Sequence, residues 1–232
     1  MKRQRLLASV AIASALMTGA ANAAVNFSDN FDAESPAGVS ILNYNGFENW
    51  DVIGQVDLVS TPNGYGLSGS GNYVDLDGTA GPGAIVSKQS FAFNAGDFVT
   101  WAFDFSGNQR DGNSDTFVFG LDFDVAGTAQ NLTLNGVSYG DYSYASASHL
   151  INSPVIGPNT GWTSVVYTFT ALNSGSARMY FGTTSGDNIG PLVDNIRLTA
   201  GVVPEPATWA MMILGLGAAG AVLRRRRIAV AA

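Results

Sequence analysis

Between residues 24 and 200 the hydrophobic and polar positions of this chain alternate in short runs with a period of two. Phe117, Phe119, Leu121, Phe123 and Val125 alternate with Val118, Gly120, Asp122 and Asp124; Trp101, Phe103 and Phe105 alternate with Ala102 and Asp104. Successive side chains of a strand point to opposite faces, so each run sets an aromatic row on one side and small or acidic residues on the other. Similar runs occupy 50–59, 72–77, 83–93, 130–134, 162–170, 177–183 and 192–199, separated by clusters of Gly, Asn, Ser and Asp that favour turns. No window in this region carries a helical stripe. About nine strands at this spacing predict an all-β domain, a two-sheet sandwich in which each sheet buries one face against the other. Trp50, Trp101 and Trp162 fall inside the strand patterns and are expected in the core.

Two stretches break the alternation. Lys2, Arg3 and Arg5 precede an apolar run from Leu6 to Ala20 and the small residues Ala21-Asn22-Ala23, which predicts a signal peptide over 1–23 and a mature start at Ala24. Near the other end, Pro204-Glu205-Pro206 precedes the uncharged run Ala207 to Leu223, which Arg224, Arg225, Arg226 and Arg227 close. Each proline lacks an N–H and restricts the residue before it, so 201–206 is expected to be a stiff, extended linker. The run 207–223 would make about 25 Å of helix, the short end of what spans a bilayer. Trp209 lies near its outer end, at headgroup level, and the arginines place 224–232 in the cytoplasm. A single transmembrane helix is therefore predicted over 207–223, leaving 24–200 as one folded domain of ordinary size.

Charge narrows the function. The whole chain is −7, but within 24–203 only Lys88, Arg110, Arg178 and Arg197 oppose seventeen acidic residues, a balance of −13. Nucleic acid is excluded as a partner by that balance, whereas cations suit it. The absence of cysteine excludes disulfides, a thiol nucleophile and a Cys-ligated zinc site.

Catalytic chemistry has little to stand on. His149, the only histidine, sits among Ser146, Ala147, Ser148 and Leu150 and is expected at the surface; no Gly-x-Ser-x-Gly elbow flanks a serine. Asp104, Asp122 and Asp124 lie on strands, but Asp122 and Asp124 alternate opposite the aromatic face, where solvated carboxylates are ordinary. The loop Arg110-Asp111-Gly112-Asn113-Ser114-Asp115 lacks the glutamate that closes an EF-hand loop and reads as a turn. The chain is therefore not expected to be an enzyme. Binding has better candidates. Aromatic rings stack on sugar faces, and Tyr65, Tyr139, Tyr142 and Tyr144 stand in Gly-, Ser- and Asn-rich stretches read as loops.

From Val203 to Arg227, the order of motif, apolar span and basic cluster resembles the PEP-CTERM sorting signals of Gram-negative bacteria. The variant reads Pro204-Glu205-Pro206, two residues, then Trp209-Ala210. The resemblance implies processing by an exosortase, a membrane transpeptidase. It further implies export through the inner membrane, transient anchoring by the helix, and a final place at the cell surface or in the extracellular matrix of a biofilm.

The domain itself resembles the DUF642/choice-of-anchor group of secreted jelly rolls, related in form to carbohydrate-binding modules. The likeness is carried by Asn49-Trp50-Asp51-Val52, by Tyr73-Val74-Asp75-Leu76-Asp77-Gly78 and by Gly190-Pro191-Leu192-Val193-Asp194-Asn195-Ile196. It implies a jelly-roll β-sandwich that binds exopolysaccharide or cell-wall glycan without catalysis. It also implies a structural Ca²⁺ where the first strand meets the last, with Asp32 and Asp194 at the matching positions. Ca²⁺ takes six to eight oxygens, so carbonyls and Asp29 or Glu34 would have to join them. Two further readings stay open: a structural or adhesive matrix protein with no small ligand, and a glycan hydrolase.

Overall fold

The computed structural model describes residues 25–79, 81–110, 112–146, 154–202 and 212–217. Within them the alternating runs are strands. Fifteen occur: β1 (Val25–Asp29), β2 (Trp50–Gly54), β3 (Asp57–Ser60), β4 (Asn72–Asp75), β5 (Asp77–Gly78), β6 (Gly81–Ser87) and β7 (Phe91–Phe93). The later ones are β8 (Asp97–Ser106), β9 (Asp115–Phe123), β10 (Gly127–Leu134), β11 (Val137–Tyr144), β12 (Val155–Ile156), β13 (Thr163–Ala171), β14 (Gly175–Thr183) and β15 (Leu192–Val202).

They form a two-sheet sandwich. One sheet runs β11-β10-β13-β8-β15-β4-β3 with β1 also on β15; the other runs β12-β9-β14-β6-β2, with β5 on β6 and β7 on β14. The strand count exceeds nine because short strands carry no readable period and because two runs divide. The run 50–59 breaks into β2 and β3 at Gly54, whose φ of +72° a β-branched residue would not hold. The run 83–93 turns between β6 and β7. The segment expected to be a tyrosine-bearing loop is strand β11.

Period-two alternation decides which faces meet. Val99, Trp101 and Phe103 of β8, and Val165, Tyr167 and Phe169 of β13, pack against Phe117, Phe119, Leu121 and Phe123 of β9 and Met179 and Phe181 of β14. The predicted aromatic row of β9 is buried as far as Phe123, while Val125 lies past the strand and is exposed. Trp50 and Trp101 are fully buried, as expected; Trp162 is not. It belongs to a smaller apolar cluster with Val59, Leu67, Tyr73 and Leu192.

The strand β15 is the element on which the two sides of the larger sheet meet. Its Leu192 and Val193 pair with β4, whereas Ile196 to Ala200 pair with β1, so it changes partner partway along. At that change its register against β8 slips between Asp194 and Arg197, and Asn195 takes φ +51°. This is a β-bulge, which re-aims side chains where pairing is interrupted.

Residues 212–217 are helical and exposed, and among the described residues no helix is long and apolar enough to cross a membrane. The predicted signal peptide, His149, the motif residues Pro204, Glu205, Pro206, Trp209 and Ala210, the rest of the apolar run and Arg224 to Arg227 lie outside the described residues.

Candidate functional site

The bulge of β15 opens a groove on the outer face of the larger sheet. Ser68, Gly69, Ser70, Asp104, Trp162, Asp194 and Asn195 line it, and its volume is about 350 Å³. A second groove of about 260 Å³ continues past Asn195, lined by Ser28, Asp29, Asn30, Asn195, Ile196 and Arg197. Both result from the partner change in β15, because two adjoining strands, β4 and β1, leave a gap beside Asp194 that no ladder fills.

Trp162 forms the apolar wall. It precedes β13 by one residue and shares the parity of Ser164, Val166, Thr168 and Thr170, whose side chains leave the core. Its ring is fixed: the indole N–H donates to the Ser68 carbonyl at 2.7 Å, and the ring meets Tyr73 edge-on at 5.4 Å. Gln109 holds Ser68 from the other side, accepting from its N–H at 2.8 Å and its hydroxyl at 2.7 Å.

The polar wall is built on Asn195. Its side-chain amide donates to Asp104 Oδ2 at 2.9 Å and to Asp194 Oδ2 at 3.3 Å, so one amide ties together two carboxylates on paired positions of neighbouring strands. Asp104 also accepts from the Ser164 hydroxyl, and Asp194 Oδ1 from the Asn195 N–H at 2.6 Å. Asp194 is 5% exposed. Burial pushes its carboxyl up to about 7; the Asn195 N–H opposes this, and the charges of Asp32, Asp104 and Asp29 add to it.

A carboxyl raised in this way holds its proton more tightly in the folded chain than in the unfolded one. Its contribution to stability is complete below the ordinary carboxyl value of 3.8 and is lost as pH rises through about 7. Asp194→Asn, which cannot ionise, is therefore expected to exceed the wild type by about 1–2 kcal/mol at pH 8 and to match it at pH 4, as read by thermal melts.

The two residues predicted to hold calcium, Asp32 and Asp194, do lie within electrostatic reach of each other. Their oxygens already accept from N–H groups. Asp32 takes the Asn72 N–H at 2.8 Å and the Asn30 amide at 2.7 Å. Asp29 takes the Phe31 N–H and the side chains of Asn49 and Trp50. Glu34 is turned away, to the Tyr44 hydroxyl and the Glu48 N–H. Among the described residues no three His, Cys, Asp or Glu side chains group so as to hold a metal ion. The carboxylates as placed are engaged by separate donors and are not gathered round one point, so they do not stand as a ready calcium cage. Millimolar calcium in place of EDTA is accordingly expected to move the melting temperature by less than about 2 °C, and a rise above about 5 °C would show that the carboxylates regroup around the ion.

The candidate tyrosines are not brought together. Tyr65 is exposed in the loop after β3, whereas Tyr139 and Tyr142 are exposed on β11, at the opposite end of the strand order. Tyr144 is a correction: it is 4% exposed and stacks on Phe123 at 3.8 Å, at the last position of β11, where the strand pairs with Gly127 beside the core. In the 110–115 loop, Arg110 pairs with Asp75 at 2.9 Å and donates to the Asn188 carbonyl, a structural tie between loops.

No curated protein matches the chain. Solved structures that align with it include a family 35 carbohydrate binding module from Clostridium thermocellum, at 15% identity over 69% of this chain and 98% of that one, TM-score 0.29. Others are the CBM22-1 xylan-binding domain of Paenibacillus barcinonensis Xyn10C (10%, 73% and 99%, TM-score 0.38) and a cyclase from Fischerella sp. TAU (16%, 77% and 98%, TM-score 0.44). At these identities and scores they bear on neither ligand nor reaction. Residues 202–227 match the PEP-CTERM protein-sorting motif, and the chain is thus an all-β sandwich followed by a PEP-CTERM sorting signal.

Proposed function

We propose that the protein is exported, processed by an exosortase at its sorting signal, and placed at the cell surface or in the extracellular matrix, where it binds polysaccharide without cleaving it. The apolar run 207–223 holds the precursor in the inner membrane until processing. The observation that carries the binding half is Trp162, a half-exposed indole fixed as one wall of a groove whose other wall is amide, carboxylate and hydroxyl. A pyranose has an apolar C–H face and a polar rim. The indole suits the face, and Asn195, Asp104, Ser68 and Ser70 suit the rim. A volume of about 350 Å³ is within the range of ligand sites. Ranks of hydroxyls continue the polar surface, since Thr133, Thr168, Thr100 and Thr199 stand side by side on four neighbouring strands.

Calorimetric titration of the secreted protein with neutral, acidic and amino polysaccharides tests this reading. Saturable binding of at least one class is expected, and silence with all of them would leave a structural or adhesive matrix role. The same groove favours one other reading. A carboxyl with a raised pKa beside a second carboxylate on the next strand is the minimal set for glycoside cleavage. Release of reducing ends from a bound polysaccharide, lost in Asp194→Asn, would decide for hydrolysis; stable binding without release decides for binding alone.

A further inference from the structure

The walls of the groove also bear on which sugars suit it. We propose that it selects polysaccharide bearing free amines, a de-N-acetylated amino-sugar polymer, over neutral or acidic ones; this rests on the reading of the groove as a glycan site. Asp104 and Asp194 line it, and Asp32 and Asp29 act on Asp194 from the strand end beyond. Of the four basic residues between 24 and 203, only Arg197 lines either groove, and it lies on the far side of Asn195. A uronic acid would add its charge to those of Asp104, Asp29 and Asp32. A neutral sugar would displace water from the carboxylates and return only uncharged hydrogen bonds. An ammonium group instead forms charge-assisted bonds with them.

The spacing agrees. Trp162 and Ser164 lie on the same side of one chain segment, and Ser164 is directly opposite Asp104 on β8. Diagonal neighbours in a sheet stand about 7–8 Å apart, which leaves room between the indole and Asp104 for a rim substituent and one hydrogen bond. A ring on the indole therefore carries a rim amine towards Asp104, and Asn195 holds Asp104 and Asp194 together at that end. The aromatic wall is independent of the charges, which separates this arrangement from a bare acidic patch that draws in any polycation.

The test uses the full chain in detergent and calorimetric titration with short oligomers of glucosamine, their fully N-acetylated counterparts and uronic-acid oligomers, at a pH where the amines are charged. The amine form is expected to bind at least about tenfold tighter than the N-acetylated form. Asp104→Asn is expected to weaken the amine form at least about tenfold and the N-acetylated form by less, so that the preference is lost, and Trp162→Ala to weaken both alike. Equal, Trp162-dependent affinity for the two forms, or a preference for uronic acids, overturns the selectivity and leaves the glycan site standing. Amine binding that ignores Trp162→Ala is general attraction of a polycation and also overturns it. Absence of binding by every oligomer overturns the selectivity and the glycan reading together.

Discussion

Truncating Phe181 to alanine is expected to lower the stability of the sandwich by about 3–5 kcal/mol, the usual cost of removing a buried phenylalanine and leaving its cavity. Phe181 is fully buried on β14, and its ring meets Trp50 at 5.8 Å, Trp101 at 5.7 Å, Phe103 at 4.9 Å and Phe117 at 6.4 Å. These rings come from β2, β8 and β9, so one side chain joins strands of both sheets. None of the neighbours can collapse into the space without leaving another contact, because each is itself fully or almost fully buried. Against a total stability of roughly 5–15 kcal/mol, the loss is a large fraction. For a domain of this size it corresponds to a fall of about 6–20 °C in melting temperature. Circular dichroism melts of Phe181→Ala and Phe181→Leu measure it, with leucine expected to recover most of the loss. A fall below about 1 kcal/mol for alanine would mean that the sheets do not meet through this ring.

Trp162→Ala is expected to act on the other side of the larger sheet and in a different way. Binding of glycan should weaken roughly 30- to 100-fold, combining lost stacking with lost apolar burial. The melting temperature should change far less than for Phe181→Ala, because the ring sits in the small outer cluster and outside the main core. The loop it touches keeps a second tie, since Gln109 still grips Ser68 through three hydrogen bonds. Trp162→Phe, which keeps a ring and loses the indole N–H, should retain part of the affinity. Isothermal titration and melts on the same samples separate the two effects, and a loss of binding that merely tracks a loss of folding would count against the groove.

The fold is legible in the sequence because burial and period coincide. In the middle of β8, β9, β13 and β14 the large apolar residues fall on every second position, Val99 to Phe103, Phe117 to Phe123, Val165 to Phe169 and Met179 to Phe181, and those are the residues that the sheets bury. Trp162 illustrates how the same signal can be misread. Its residue type suggests core, yet its parity with Ser164, Thr168 and Thr170, and against Val165, Tyr167 and Phe169, assigns it to the outer face. Tyr144 is the converse, a tyrosine in a polar-looking stretch that its place on a strand carries inside. The groove itself is half visible. Asp194 and Asp32 are placed together by the resemblance, but the bulge at Asn195 is not foreseeable, because one inserted residue leaves no mark in the alternation of Leu192 to Ala200. Without the bulge, neither the joining of Asp104 to Asp194 by one amide nor the gap between β4 and β1 can be derived from sequence.

The most direct measurement is the tryptophan indole region of an ¹H–¹⁵N correlation spectrum during titration with a bound oligosaccharide. Trp50, which donates its indole N–H to the part-buried Asp29, and Trp101 are fully buried, whereas Trp162 lines the groove. The Trp162 resonance, assigned by its absence in Trp162→Phe, is predicted to shift and saturate with the binding isotherm while those of Trp50 and Trp101 hold still. A glycan that binds with the Trp162 resonance unmoved would contradict the account and place the site elsewhere on the sandwich.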